Sequence, residues 1–263
     1  MAYTVRMRLI LLVITCFATL IHASNLSLEA RISETIDAES LDGKALWLDA
    51  GPIRFLALLK ETAAEKRHGG VILLHDAGGH ADWHEVINPL RIQLAAHGWD
   101  TLSLQLPVSN RLPDQAMMKQ MIADASPRIQ AAIDYFNNQQ NKHLTLVGHG
   151  LGASMALNHL LKQPETFSAV VMIGLPMTQD DTQDPVQLAL SALDIPLLDL
   201  YGSQDLTSVV QSAGARRSIA RKAERKKYRQ DRVTGADHNF SGLQENLLIR
   251  VRAWLNGATS GAE

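Results

Sequence analysis

"LTLVGHGLGASMAL", residues 144–157, reads as an apolar strand, a turn with glycines at three alternate positions, and the first turns of a helix. Leu144 to Val147 carry the aliphatic and β-branched side chains of a buried strand, and Ala153 to Leu157 are strong helix formers. Gly148, Gly150 and Gly152 mark the bend between them, where backbone must reverse within a few residues. In an open α/β sheet such a bend lies at the carboxyl end of a strand, the edge at which ligands bind.

Working outward, the same alternation recurs along the chain. "ALWLDA" (45–50) and "RFLALLKE" (54–61), separated by "GPI", are consistent with a hairpin. Apolar runs at 70–75, 100–107, 143–150, 167–176 and 195–202, and the polar run at 228–233, are each followed by a segment of helical periodicity. The inner runs are apolar end to end rather than alternating, as strands of a parallel sheet covered on both faces must be. The expectation is one doubly wound, mostly parallel sheet with right-handed crossovers and an N-terminal antiparallel hairpin. Between the strands near 167–175 and 196–202 there is room for one helix and no lid domain, so a shallow or open pocket is expected.

The N-terminus differs in kind. "MAYTVRMR" carries Arg6 and Arg8 and no acid, "LILLVITCFATLI" is apolar or small throughout, and "IHAS" places Ile21 and Ala23 at the −3 and −1 positions of a cleavage site. That is the grammar of a secretory signal over 1–23, too short in its apolar part for a typical membrane span. A polar lead-in, mobile or a short helix, follows over 24–43; the domain proper spans 44–257, with a tail over 258–263. Export to the periplasm is the expected localisation.

Composition, with 46% hydrophobic and 20% charged residues, is that of an ordinary globular protein. Cys16, the only cysteine, lies within the signal, so the mature chain has no disulfide, cysteine nucleophile or cysteine-ligated zinc. Loss of Arg6 and Arg8 moves the formal charge from −2 to −4, and nothing points to nucleic acid. No cofactor is indicated.

The other strand ends carry candidate chemistry. "LLDLYGSQD" puts Asp205 just past a late strand, "VTGADHNF" puts His238 after the last one, and "LLHDAGGH" puts His75 at the end of an early one. In this order, with the glycine turn at 148–152, these segments resemble the α/β-hydrolase superfamily over nearly all of 44–257. The chain looks closest to an uncharacterised family of exported bacterial α/β-hydrolase-like proteins with G-H-G-x-G at the nucleophile elbow. The resemblance implies that Gly150 stands at the nucleophile position, Asp205 at the acid and His238 at the base. It implies one oxyanion donor in the Leu151 amide and another from the loop at Asp76–Ala77, with His75, His149 and Trp83 about the pocket.

Glycine has no side chain to attack a carbonyl, so a serine-hydrolase mechanism through Gly150 is chemically impossible. Three readings follow. The chain is a non-catalytic binding or envelope-associated protein, a pseudoenzyme on a hydrolase fold. Alternatively, an Asp205–His238 dyad activates water held in a hollow above Gly150, as a hydrolase or lyase. A version with Ser154 as nucleophile places its hydroxyl about one helical turn from the elbow. The third reading is a metal site built from His75, His80 and His84, although "HDAGGHADWH" lacks a helical ligand pair.

Elsewhere, 215–232 carries nine Lys/Arg against Glu224 and Asp231. Arg216, Arg217, Arg221 and Arg225 are candidates for an anionic envelope surface, against a merely solvated helix face. Trp83 is expected at a pocket mouth and Trp99 in the core, and "QLPVSNRLP" (105–113) is either a loop over the site or a connection.

Overall fold

The computed structural model describes residues 25–36, 41–141, 143–178 and 181–259. The signal-like segment 1–23 and the end of the tail lie outside the described residues. Among those that are described, no helix is long and apolar enough to cross a membrane.

Among the described residues, eight strands form one sheet in the order β1-β2-β4-β3-β5-β6-β7-β8. The hairpin β1 (Lys44–Ala50) and β2 (Ile53–Lys60) is antiparallel, and β2 pairs antiparallel with β4 (Trp99–Leu104). From β4 onward, β3 (Gly69–Leu74), β5 (Leu144–His149), β6 (Ala169–Ile173), β7 (Leu197–Gly202) and β8 (Tyr228–Val233) are parallel.

Strand periodicity explains the unbroken apolar runs. Ile72, Leu74, Leu102, Leu104, Leu146 and Met172 pack on one face, against helices α3 (Gln115–Asn138), α4 (Leu151–Leu160) and α5 (Pro185–Ala192). Their neighbours Val71, Leu73, Val147, Val171 and Leu200 pack on the other, against α2 (Ile87–Ala95) and α7 (Gln244–Thr259). Each such side chain contributes about 1.5–3 kcal/mol of burial before conformational entropy is set against it. Trp99 is fully buried in the second layer. Helix α3 runs through Pro127, which removes one backbone N–H from the helix ladder.

A short helix α1 (Leu26–Thr35), capped by the Asn25 side chain on the Leu28 amide, occupies part of the lead-in. The 105–113 segment is a connection, with Leu106 and Val108 buried and the Asn25 amide donating to the Val108 carbonyl at 2.9 Å. Among the described residues, the region between β6 and β7 holds only the single helix α5.

Helix α6 (Thr207–Lys222) corrects one expectation. Arg216 is fully buried, its Nε donating to Asp199 Oδ2 at 2.7 Å and its Nη2 to Oδ1 at 3.1 Å, so it cannot face an envelope surface. Asp199 is a charge in the middle of β7, and Tyr228 and Gln230 also donate to it. A buried carboxylate so placed demands an opposite charge, and Arg216 supplies it from the helix above. Arg217 and Arg221 are exposed; Arg225 is half-buried, with its guanidinium on the Ser191 carbonyl.

Candidate active site

The bend after β5 is a sharp elbow. Gly150 has φ +53 and ψ −120, its amide donates to the Ile173 carbonyl at 2.9 Å, and α4 begins at the next residue. Side chains rarely adopt that backbone, so glycine relieves the strain of the turn.

The space beside Gly150 is not a hollow. A Cβ at residue 150 would fall on the carboxylate of Asp76, which the loop after β3 delivers across the carboxyl edge of the sheet. Asp76 Oδ1 accepts from the Leu151 amide at 2.6 Å, and Oδ2 lies 3.3 Å from His238 Nε2. The room expected for a water is thus filled by a carboxylate. The loop expected to donate an oxyanion amide instead brings an acceptor to the Leu151 donor.

His238 is held from its other side by Asp205. Its Nδ1 lies 2.6 Å from Asp205 Oδ1, and Asp205 also accepts from the amides of Gly202 at 3.3 Å and Leu206 at 2.7 Å. The Asp205 side chain is wholly buried, whereas those of His238 and Asp76 are 14% and 29% exposed. The three groups therefore form a line, Asp76–His238–Asp205, opening to solvent at the Asp76 end.

Burial alone would lower the His238 pKa, but the hydrogen bonds to Asp205 and Asp76 outweigh it and raise it to about 9. Partial burial likewise opposes charge on Asp76. The hydrogen bonds from His238 and the Leu151 amide overcome it, holding its carboxyl well below the usual carboxylate range. At neutral pH Asp76 is a carboxylate and His238 an imidazolium.

His149 and His75 frame this line. The His149 ring stacks on His238 with centroids 4.6 Å apart, and its Nε2 donates to the His238 carbonyl at 2.9 Å. Its Nδ1 is buried and makes no hydrogen bond among the described residues, and burial lowers its pKa, keeping the ring neutral. His75 is also buried and neutral, its pKa lowered by burial to about 4. Its Nε2 accepts from the Leu106 amide at 2.9 Å, which fixes the tautomer and leaves Nδ1–H to donate to the Asp76 carbonyl at 2.7 Å.

The other expected residues have neighbours of their own. Trp83 packs at the edge of the second core layer, its ring 5.5 Å from that of His80 and 5.1 Å from that of His84. His80 Nδ1 accepts from the Asp82 amide at 3.2 Å. With both His75 nitrogens engaged, these histidines do not converge, and among the described residues no group of three His, Cys, Asp or Glu could hold a metal. Ala77 is partly buried against the first core layer. Ser154 is buried in the first turn of α4 and lines a groove of about 250 Å³, with Met118, Ile122, Leu151, Pro176 and Met177. At the groove's rim Lys119 pairs with Asp181 at 2.8 Å.

Sequence reasoning missed Gly174, at the end of β6. Its φ is +58, and a Cβ there would lie 2.8 Å from Nδ1 and Cε1 of His238. The signal was present in "MIGLP", a glycine closing an apolar strand at the ligand edge of the sheet.

The family described as Protein of unknown function (DUF3530) matches residues 26–127 and 113–257. Comparison with curated proteins finds no match. Among solved structures, Est1E from Butyrivibrio proteoclasticus is similar at 15% identity, covering 82% of this chain and 99% of its own, with a TM-score of 0.66. A lidless α/β serine hydrolase from Xanthomonas campestris is similar at 16% identity, 83% and 94% coverage and a TM-score of 0.60. A putative dienelactone hydrolase from Klebsiella pneumoniae is similar at 18% identity, 81% and 98% coverage and a TM-score of 0.61. Eight strands in this order, with the helices on both faces, are the α/β-hydrolase fold.

Proposed function

The chain belongs to the DUF3530 family on an α/β-hydrolase fold, and from that premise we propose that it is a hydrolase whose nucleophile is the carboxylate of Asp76. One observation carries the reading. Asp76 stands where a side chain on residue 150 would begin, with Oδ1 on the Leu151 amide and Oδ2 toward His238. A carboxylate is a competent covalent nucleophile, and this one is ionised and partly open to solvent.

The chemistry balances with these groups alone. Asp76 Oδ2 forms a bond to an electrophilic carbon, the carbon–leaving-group pair departs with the leaving group, and His238 gives that group the proton on Nε2. Esterified Asp76 no longer carries charge, so His238 loses one of the two partners that raised its pKa and becomes a usable base. It takes a proton from water, and the hydroxide adds to the Asp76 carboxyl carbon. The resulting oxyanion develops on Oδ1, which the Leu151 amide already faces. The Cγ–Oδ2 bond breaks, the alcohol takes the proton back, and the acid so formed reprotonates His238. The groove lined by Met118, Ile122 and Met177 begins at Leu151 and suits a short apolar chain or a single ring on the substrate.

The test is hydrolysis of 1,2-epoxyhexane and 1-bromohexane, whose electrophilic carbons are saturated, in water enriched in oxygen-18, under single-turnover conditions. The proposal expects the label on the Asp76 carboxylate, since water attacks the enzyme ester. Turnover with label only in the product contradicts it and favours a water-activating Asp205–His238 dyad.

The second reading is a non-catalytic binding or envelope-associated protein. It is favoured by the absence of a hydroxyl at 150 and by a Leu151 donor already satisfied by Asp76. Absence of turnover across the panel supports it. Export through residues 1–23, a periplasmic location and an anionic surface contact through Arg217, Arg221 and Arg225 remain part of the proposal. Osmotic-shock fractionation with N-terminal sequencing tests the first two, expecting a start at Ser24.

A further inference from the structure

Helix α1 has a single buried residue, and it is a glutamate. Surface helices normally dock through an apolar stripe. Here Leu26 is 45% exposed, and it is Glu29 that turns inward to meet Arg128 of α3, Oε2 to Nη1 at 2.8 Å and Oε1 to Nη2 at 3.2 Å. Arg128 Nη1 also donates to the Gln105 carbonyl at 2.8 Å. The next amide, that of Leu106, donates to His75 Nε2, and the Gln105 side-chain nitrogen lies 3.3 Å from the same atom. His75 in turn holds the backbone carbonyl of Asp76. A second tie, the Asn25 amide on the Val108 carbonyl, fixes α1 to the same segment.

We infer that α1 is a positioning element of the site: the Glu29–Arg128 pair sets the 105–106 backbone, which orients His75 and so keeps the Asp76 carboxylate over Gly150. Glu29, Arg128 and His75 are thus positioning residues, none of which touches the reacting groups. A chain with α1 undocked would retain its sheet and lose the placement of Asp76. This deepens the nucleophile reading without needing it, because the quantity set is the Asp76–His238 contact.

That contact can be read without turnover, in the titration of the His238 ring. The charged or titratable groups facing it are Asp76 from the β3 loop, Asp205 from the β7 loop and His149 from the end of β5, with Asp237 beside it in its own loop. In histidine-labelled protein, with the His238 resonance assigned by His238→Gln, Asp76→Ala sets the midpoint expected when the contact is lost. Arg128→Met is expected to lower the His238 midpoint by at least about half a pH unit toward that value. The sign discriminates, because removing a cation acts through its field alone to raise a histidine pKa. Arg128→Lys keeps the charge, loses the two-pronged contact and is expected to fall between the two. A folded Arg128→Met protein whose His238 midpoint stays or rises overturns the inference. Should that variant not fold, an unmoved midpoint in Arg128→Lys overturns it equally. Failure of the oxygen-18 test would leave this result standing, and an unmoved midpoint beside a labelled Asp76 would remove only the role of α1.

Discussion

The carboxylate of Asp76 occupies the volume that a side chain on Gly150 would need. The two positions are therefore exclusive: either residue 150 carries a side chain or Asp76 reaches the Leu151 amide and His238. Gly150→Ala should meet both this clash and the unfavourable φ of +53. A loss of about 1–3 kcal/mol is expected in denaturant unfolding, and a smaller loss in an Asp76→Gly background, where the clash is gone.

The site also sets a pH profile of stability. His238 is raised to about 9 in the fold against about 6.5 unfolded, so its contribution is complete below about 6.5 and lost as pH rises through 9. His75 and His159, lowered by burial to about 4, act in the opposite direction, and stability falls as pH drops from about 6.5 toward 4. Asp76, held low, keeps its contribution until strongly acid pH. Thermal unfolding should therefore peak near pH 6–7. His238→Gln should flatten the alkaline limb; an alkaline limb that persists in that variant contradicts the assignment.

Gly174 permits the approach of His238. Gly174→Ala is expected to push the imidazole off the Asp76–Asp205 line and bring its NMR titration midpoint down toward 6.5. Overall stability should fall by about 1–2 kcal/mol, since φ is also positive there. An unchanged midpoint would mean that the ring sits elsewhere.

Arg216 and Arg217 are neighbours in sequence and opposites in environment. Arg216→Ala leaves Asp199 charged and unpaired inside the fold and should cost about 3–5 kcal/mol, whereas Arg217→Ala should stay within about 0.5. Chemical denaturation of the two variants side by side checks this, and equal effects would refute the buried pairing.

The architecture was legible because the sheet is covered on both faces. That condition alone turns inner strands such as "GVILLH" and "HLTLVGH" into continuous apolar runs, and glycines at 148–152 announce the elbow. What the letters hid was set by non-local contacts. Asp76 sits in a loop whose course depends on a buried His75 held by Leu106, thirty-one residues away. No periodicity carries that information. The partner of Arg216 was hidden in the same way, although Asp199 inside "LLDLYG" was a visible sign, since an acid in a buried strand needs a cation from another element.

The sharpest test of the exclusion between residues 76 and 150 uses a fluorophosphonate probe on three proteins. The wild type and Gly150→Ser should remain unlabelled, the second because Asp76 denies the new hydroxyl its place beside His238. The double variant Gly150→Ser with Asp76→Ala should label at residue 150. Labelling of Gly150→Ser alone, as strong as that of the double variant, would contradict the placement of Asp76 on which the account rests.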